Sequence, residues 1–138
     1  MTKEFFDSVS GEFKINANEY SPLNLAYIGD AVFEIFVRTM VIKNGNTPVS
    51  KLHKASKEFV NAKAQARMFE KIKDLVNEEE LSVLKRGRNA KSFTSAKNAS
   101  VIDYRYATGL ETLFGYLYVK GDIDRLGEIF NMCIEKEN

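Results

Sequence analysis

The sequence predicts an all-α protein. N-terminal capping signals recur along the chain, apolar residues follow helical spacing, and no stretch alternates apolar and polar residues as a half-buried strand would. The 138 residues suffice for one core of ordinary size, so a single unit over 1–138 is expected.

Each element has its own punctuation. Phe5, Phe6, Val9 and Phe13 fit a short N-terminal helix. Ser21-Pro22 joins a good N-cap to proline at the first helical position, and Tyr20 and Leu25 are spaced as a hydrophobic staple. The helix opened there is apolar on nearly every side as far as Asn44-Gly45, which marks it as the buried central element. Thr47-Pro48 repeats the start signal for a long basic helix reaching Lys73. Asn77 with Glu80 forms a capping-box pattern before a short helix ending near Gly87. Arg88 to Ser100 has no periodicity and reads as a loop. A helix from Val101 to Val119 stops at Gly121, and Asp122 caps a final amphipathic helix.

Composition bounds the function. With 44% hydrophobic and 28% charged residues the chain is globular and not disordered. Cys133 is the only cysteine, so no intrachain disulfide forms. Lys3, Glu4 and Asp7 interrupt any signal-like apolar run, and Leu113 to Val119 is too short to span a membrane. A cytoplasmic protein with no membrane partner is expected. No Walker-type or dinucleotide glycine motif is present, so no nucleotide cofactor is expected. One histidine, His53, lies among Lys51 and Lys54 and reads as surface; zinc chemistry and a Cys-His nucleophile are disfavoured.

The net charge of +1 conceals an asymmetry. Residues 1–42 carry three basic and six acidic side chains, residues 43–98 thirteen and six, and residues 99–138 four and seven. A basic middle between acidic ends points to one face for a polyanion and a separate carboxylate cluster. Within that middle, Lys85, Arg86, Arg88, Lys91 and Lys97 are the basic residues of a stretch with no acid. A basic loop can follow a phosphate backbone, or it can simply be a solvated surface. Phe93 is its only aromatic, which argues against a stacking platform for single strands.

Two carboxylates sit in apolar company. Asp30, Glu34 and Arg38 form a polar stripe at intervals of four on the central helix. Arg38 answers Glu34, whereas Asp30 has no partner on its own helix; it either bonds to a basic residue elsewhere or holds a cation. Glu111 interrupts Leu110, Leu113, Phe114 and Leu117. Gly29, Gly109 and Gly115 would let two helix backbones approach beside Asp30 and Glu111. Oxygen ligands of this kind suit Mg²⁺ or Mn²⁺. Small-residue packing around a satisfied glutamate explains the same spacing more simply.

The stretch Leu25-Ala-Tyr-Ile-Gly-Asp-Ala-Val-Phe33 resembles the marker helix of the ribonuclease III catalytic domain. Leu84 to Ser92, Lys97-Asn-Ala99 and Tyr104 to Tyr118 resemble its Mini-III branch, in the same order along the chain. The resemblance implies a Mg²⁺-dependent endonuclease, with Mn²⁺ able to substitute, that hydrolyses double-stranded RNA. It implies that Asp30 and Glu111 are the catalytic metal ligands and that the five basic residues contact RNA. It further implies a homodimer packed through the marker helices, precursor large-subunit ribosomal RNA as substrate, and no separate RNA-binding domain. Leu23, Ala26 and Thr108 stand where larger members of the family have further carboxylates, so the number of ions per site is open. A non-catalytic RNA-binding or ribosome-assembly module is the alternative.

Overall fold

The computed structural model describes residues 3–91 and 100–135, and among these there is no strand. Among the described residues seven helices run in order: α1 (Lys3–Ser8), α2 (Pro22–Ile42), α3 (Val49–Lys57), α4 (Ala62–Ile72), α5 (Glu78–Asn89), α6 (Val101–Lys120) and α7 (Ile123–Ile134). A 3₁₀ turn, Ala17–Glu19, precedes α2. The all-α expectation holds.

The local signals place most boundaries. The Ser21 side chain accepts from the Asn24 amide at the start of α2, with Pro22 in the first turn. Asn77 and Glu80 form the expected reciprocal capping box on α5. Ser100 and Asp122 cap α6 and α7. Gly121 ends α6 in the left-handed region at φ 80°, a conformation glycine adopts without steric cost.

Two expectations need correction. The long basic helix from Thr47 to Lys73 is two helices, because the chain turns between Lys57 and Ala62. Phe59 and Val60 leave the helical path to pack on the core. Asn61 repairs the ends: its Oδ1 accepts from the Ala64 amide at 2.8 Å, and its Nδ2 donates to the Lys57 carbonyl at 2.7 Å. Likewise, α2 is not the most enclosed element. That place belongs to α6, whose residues Ala107 to Leu110 and Thr112 to Leu117 are buried against α2, α4, α5 and α7.

Helix α2 gives the core only one face, through Leu25, Ala26, Gly29, Val32, Phe33 and Val37. Phe33 meets Phe114 of α6 edge-on, with ring centroids 5.2 Å apart, and also contacts Phe130 of α7. The opposite face of α2 exposes Leu23, Tyr27 and Ile35, with Tyr27 83% and Ile35 63% accessible. No helix among the described residues is long and apolar enough to cross a membrane.

Candidate active site

The seam between α2 and α6 is closed by glycines. A Cβ at Gly29 would overlap the Glu111 carbonyl, and a Cβ at Gly115 would overlap the Leu25 carbonyl. Each helix therefore lays bare backbone against the other at these two points. That contact sets Asp30, the residue after Gly29, against the Glu111 side chain of α6. Asp30 stands at the solvent edge and Glu111 is half-buried. The sequence expectation of a withdrawn carboxylate thus describes Glu111 better than Asp30, because Gly29 faces α6 and its neighbour must point beside the seam.

The electrostatics of the pair are one-sided. Burial pushes the Glu111 carboxyl up to about 9, and the hydrogen bond and negative charge of Asp30 push the same way. Burial and the neighbouring carboxylate therefore both favour the protonated form of Glu111. Gln65 of α4 is the one neighbour acting in the opposite direction, favouring the ionised form. Its side chain is buried, and its Nε2 closes no hydrogen bond among the described residues.

Nearby polar groups are already engaged. Glu34 pairs with Arg38 at 3.0 Å, as the spacing predicts. The Thr108 hydroxyl donates to the Tyr104 carbonyl and the Thr112 hydroxyl to the Thr108 carbonyl, so both are satisfied within α6. Among the described residues no three acidic, histidine or cysteine side chains cluster, which leaves Asp30 and Glu111 as a pair.

The basic residues lie along α5 and just after it. Lys85 and Arg86 are exposed and line a shallow groove with Pro22, Ser82 and Asn89. The Arg88 guanidinium sits 5.8 Å from the Tyr106 ring centroid, and Lys91 is exposed just beyond the helix end. Arg88, expected at the head of a loop, is in the last turn of α5. Lys97 lies outside the described residues. Gly87 packs on Gly109 and Thr112, so the basic end of α5 crosses α6 within a turn of Glu111. Beyond Tyr106, Lys63 and Arg67 of α4 line a second groove with Lys71 and Asp103.

Sequence reasoning missed Gln65. Its signal was present: with Met68, Phe69 and Ile72 it occupies the buried face of α4, the one polar member of an otherwise apolar stripe.

A family model described as the ribonuclease III domain matches residues 23–122 of this chain. A Mini-ribonuclease 3 of Clostridium tetani is 55% identical over 122 residues, which cover 88% of this chain and 81% of that protein. One from Enterococcus faecalis is 46% identical over 86% of this chain and 93% of its own length. The chain belongs to the Mini-ribonuclease 3 branch of the ribonuclease III family. A crystal structure of a Fusobacterium nucleatum protein superposes with a TM-score of 0.75 at 34% identity, covering 83% of this chain and 92% of that one. Membership makes the chain an endoribonuclease, a hydrolase that acts on RNA. The matched span includes Asp30, Glu111 and the basic stretch of α5.

Proposed function

We propose that this endoribonuclease cuts double-stranded RNA with a divalent cation held by Asp30 and Glu111, and that it matures precursor large-subunit ribosomal RNA as a homodimer. The observation that carries the proposal is the pair itself. Two carboxylates brought together without a guanidinium or ammonium partner among the described residues leave Glu111 with a proton it would ordinarily have lost. A hard cation relieves the repulsion that the proton now relieves, and carboxylate oxygens are the donors such a cation prefers. The residues therefore fit magnesium, or manganese in its place.

Bound there, magnesium would supply Lewis acidity and positive charge at the scissile phosphate. Asp30 and Glu111 fix where that charge stands, and the glycine contacts fix them in turn. Lys85, Arg86, Arg88, Lys91 and Lys97 contact phosphates and riboses of the duplex. Readout then depends on A-form shape more than on base identity.

The exposed face of α2 supports the homodimer. Leu23, Tyr27, Ala31 and Ile35 recur every fourth residue, and Ile42 continues the stripe two turns on. An apolar stripe of this kind fits a second copy of the same helix. Asp30 and Glu34 flank it, so a twofold contact would place two carboxylate pairs near one interface. The ribosomal precursor as substrate rests on the family resemblance.

The test is incubation with duplex RNA, with and without Mg²⁺, beside single-stranded RNA and duplex DNA. Cleavage of duplex RNA alone, abolished by EDTA, is expected. Binding without cleavage would make the protein a non-catalytic RNA-binding module, and cleavage in EDTA would remove the cation. Light scattering should give twice the chain mass, and a monomer would overturn the dimer.

A further inference from the structure

We propose that Gln65 is a positioning residue for the cation site, whose side-chain amide donates to the Glu111 carboxylate and holds it in its ligating orientation. The proposal rests on the reading of Asp30 and Glu111 as that site. Gln65 is only 5% accessible, on the face of α4 that packs against α6. Its side-chain amide adjoins Glu111, yet Nε2 is buried with no partner. A buried amide N–H without an acceptor is costly, and native structures rarely keep one without a use.

The chemistry of the pair explains the arrangement. Glu111 directs its carboxyl at Asp30, and Gln65 is the neighbour that acts on the same carboxyl in favour of its charged form. When both carboxylates turn to a shared cation, the Glu111 oxygen away from the ion needs a donor. The Gln65 amide is the group in place. Carboxylates that bind metals are generally held by such donors, and losing one weakens binding by about 10- to 100-fold. A glutamine suits the task because it donates without adding charge. A lysine there would compete with the cation, and a glutamate would add a third acid.

Gln65 also has reasons to stay in place. It lies between Ala64 and Ala66, both buried, and Phe69 one turn on packs on Gly109 and Tyr106 of α6. The amide is thus carried on a rigid helix, pinned to the helix that carries Glu111.

The experiment compares Gln65→Leu, Glu111→Gln and the double variant with the wild-type protein. Mn²⁺ binding to the isolated protein is followed by electron paramagnetic resonance, and melting is followed in EDTA. Gln65→Leu should fold and melt in EDTA no lower than wild type, since an unpaired amide has been replaced by an apolar group of similar size. It should weaken Mn²⁺ binding by about 10- to 100-fold. In the Glu111→Gln background the same change should cost little more, because the carboxylate it positions is gone. Undiminished Mn²⁺ binding by Gln65→Leu, or a full additional loss in the double variant, overturns the proposal. If Gln65→Leu does not fold, Gln65→Met carries the comparison, and failure of both to fold overturns it in favour of a packing role. If Glu111→Gln binds Mn²⁺ as wild type does, the cation site itself is misplaced. A loss with Glu111→Gln but none with Gln65→Leu refutes the role of Gln65 alone.

Discussion

Glu80 on α5 and Glu111 on α6 are both drawn out of water in the same bundle, and their surroundings drive them in opposite directions. Glu80 receives the Arg125 guanidinium at both oxygens, at 2.7 and 2.8 Å, and accepts from the Asn77 amide at 3.0 Å. Those partners, Arg125 foremost, hold its carboxyl below the ordinary carboxylate range. Glu111 meets Asp30 and a buried amide instead, and is pushed up. Glu80 ties α5 to α7 and is complete as it stands. Glu111 has no basic partner of that kind among the described residues. A fully paired buried carboxylate belongs to the architecture, whereas one set against another carboxylate is a candidate for holding a cation.

The largest expected effect falls on activity. Asp30→Asn and Glu111→Gln should each lower cleavage of duplex RNA by roughly 1000-fold, the scale of losing transition-state charge stabilisation. Folding and RNA binding should survive, because each amide keeps the size and shape of the acid it replaces. Near-normal turnover by Asp30→Asn at limiting Mg²⁺ would erase the contrast with Glu80, and full activity of Glu111→Gln would return that residue to packing.

Glu80 should show the reverse profile. Arg125→Ala leaves a buried carboxylate without its cation and should cost about 3 kcal/mol in urea unfolding. Cleavage per folded molecule should not change. A loss of stability well under about 1 kcal/mol would mean that Glu80 is screened like a surface group.

The pH dependence separates the two within one protein. Cation-free, folded Glu111 titrates at about 9 against an ordinary 4.5, so between those values the folded state holds more protons than the unfolded state. Its contribution to stability therefore falls as pH rises through that window, by at most about 1.4 kcal/mol per pH unit. Glu80 has a lowered value, so its contribution is present above the unfolded value and is lost as pH falls. Urea melts in EDTA should show this loss as pH rises from 4.5 to about 9, and Glu111→Gln should flatten it. Apparent Mg²⁺ affinity should rise with pH over the same window, because binding expels the Glu111 proton. Affinity independent of pH would place the ion elsewhere.

The smallest change concerns neither carboxylate. Replacing Arg86, Arg88 and Lys91 with alanine should weaken binding to duplexes of any sequence and reduce its salt dependence. Each lost phosphate contact lowers the log-log slope by about 0.9 on B-form DNA, with similar logic for RNA. Cleavage at low salt and high enzyme should partly recover. An unchanged slope would shift the RNA to the groove lined by Lys63 and Arg67.

The sequence by itself determined what depends on near neighbours. The caps Ser21, Asn77 and Asp122, the stop at Gly121 and the Glu34–Arg38 pair were legible because each interaction closes within four or five residues. Asp30 and Glu111 stood out as acids among apolar residues, and the glycines beside them announced a close helix contact. Only the tertiary structure decided the rest. Phe59 and Val60 break the basic helix because a distant core rewards their burial more than four continued helical residues would. Helix α2 reads as apolar on nearly every side, but the fold buries one face and leaves Tyr27 and Ile35 outside. Gln65 acquires meaning only when α4 and α6 bring it to a residue 46 positions away in the chain. The carboxylate pair likewise exists only because Gly29 and Gly115 let two backbones touch; the glycines hinted at such a contact, but only the packing of α2 on α6 brings it about.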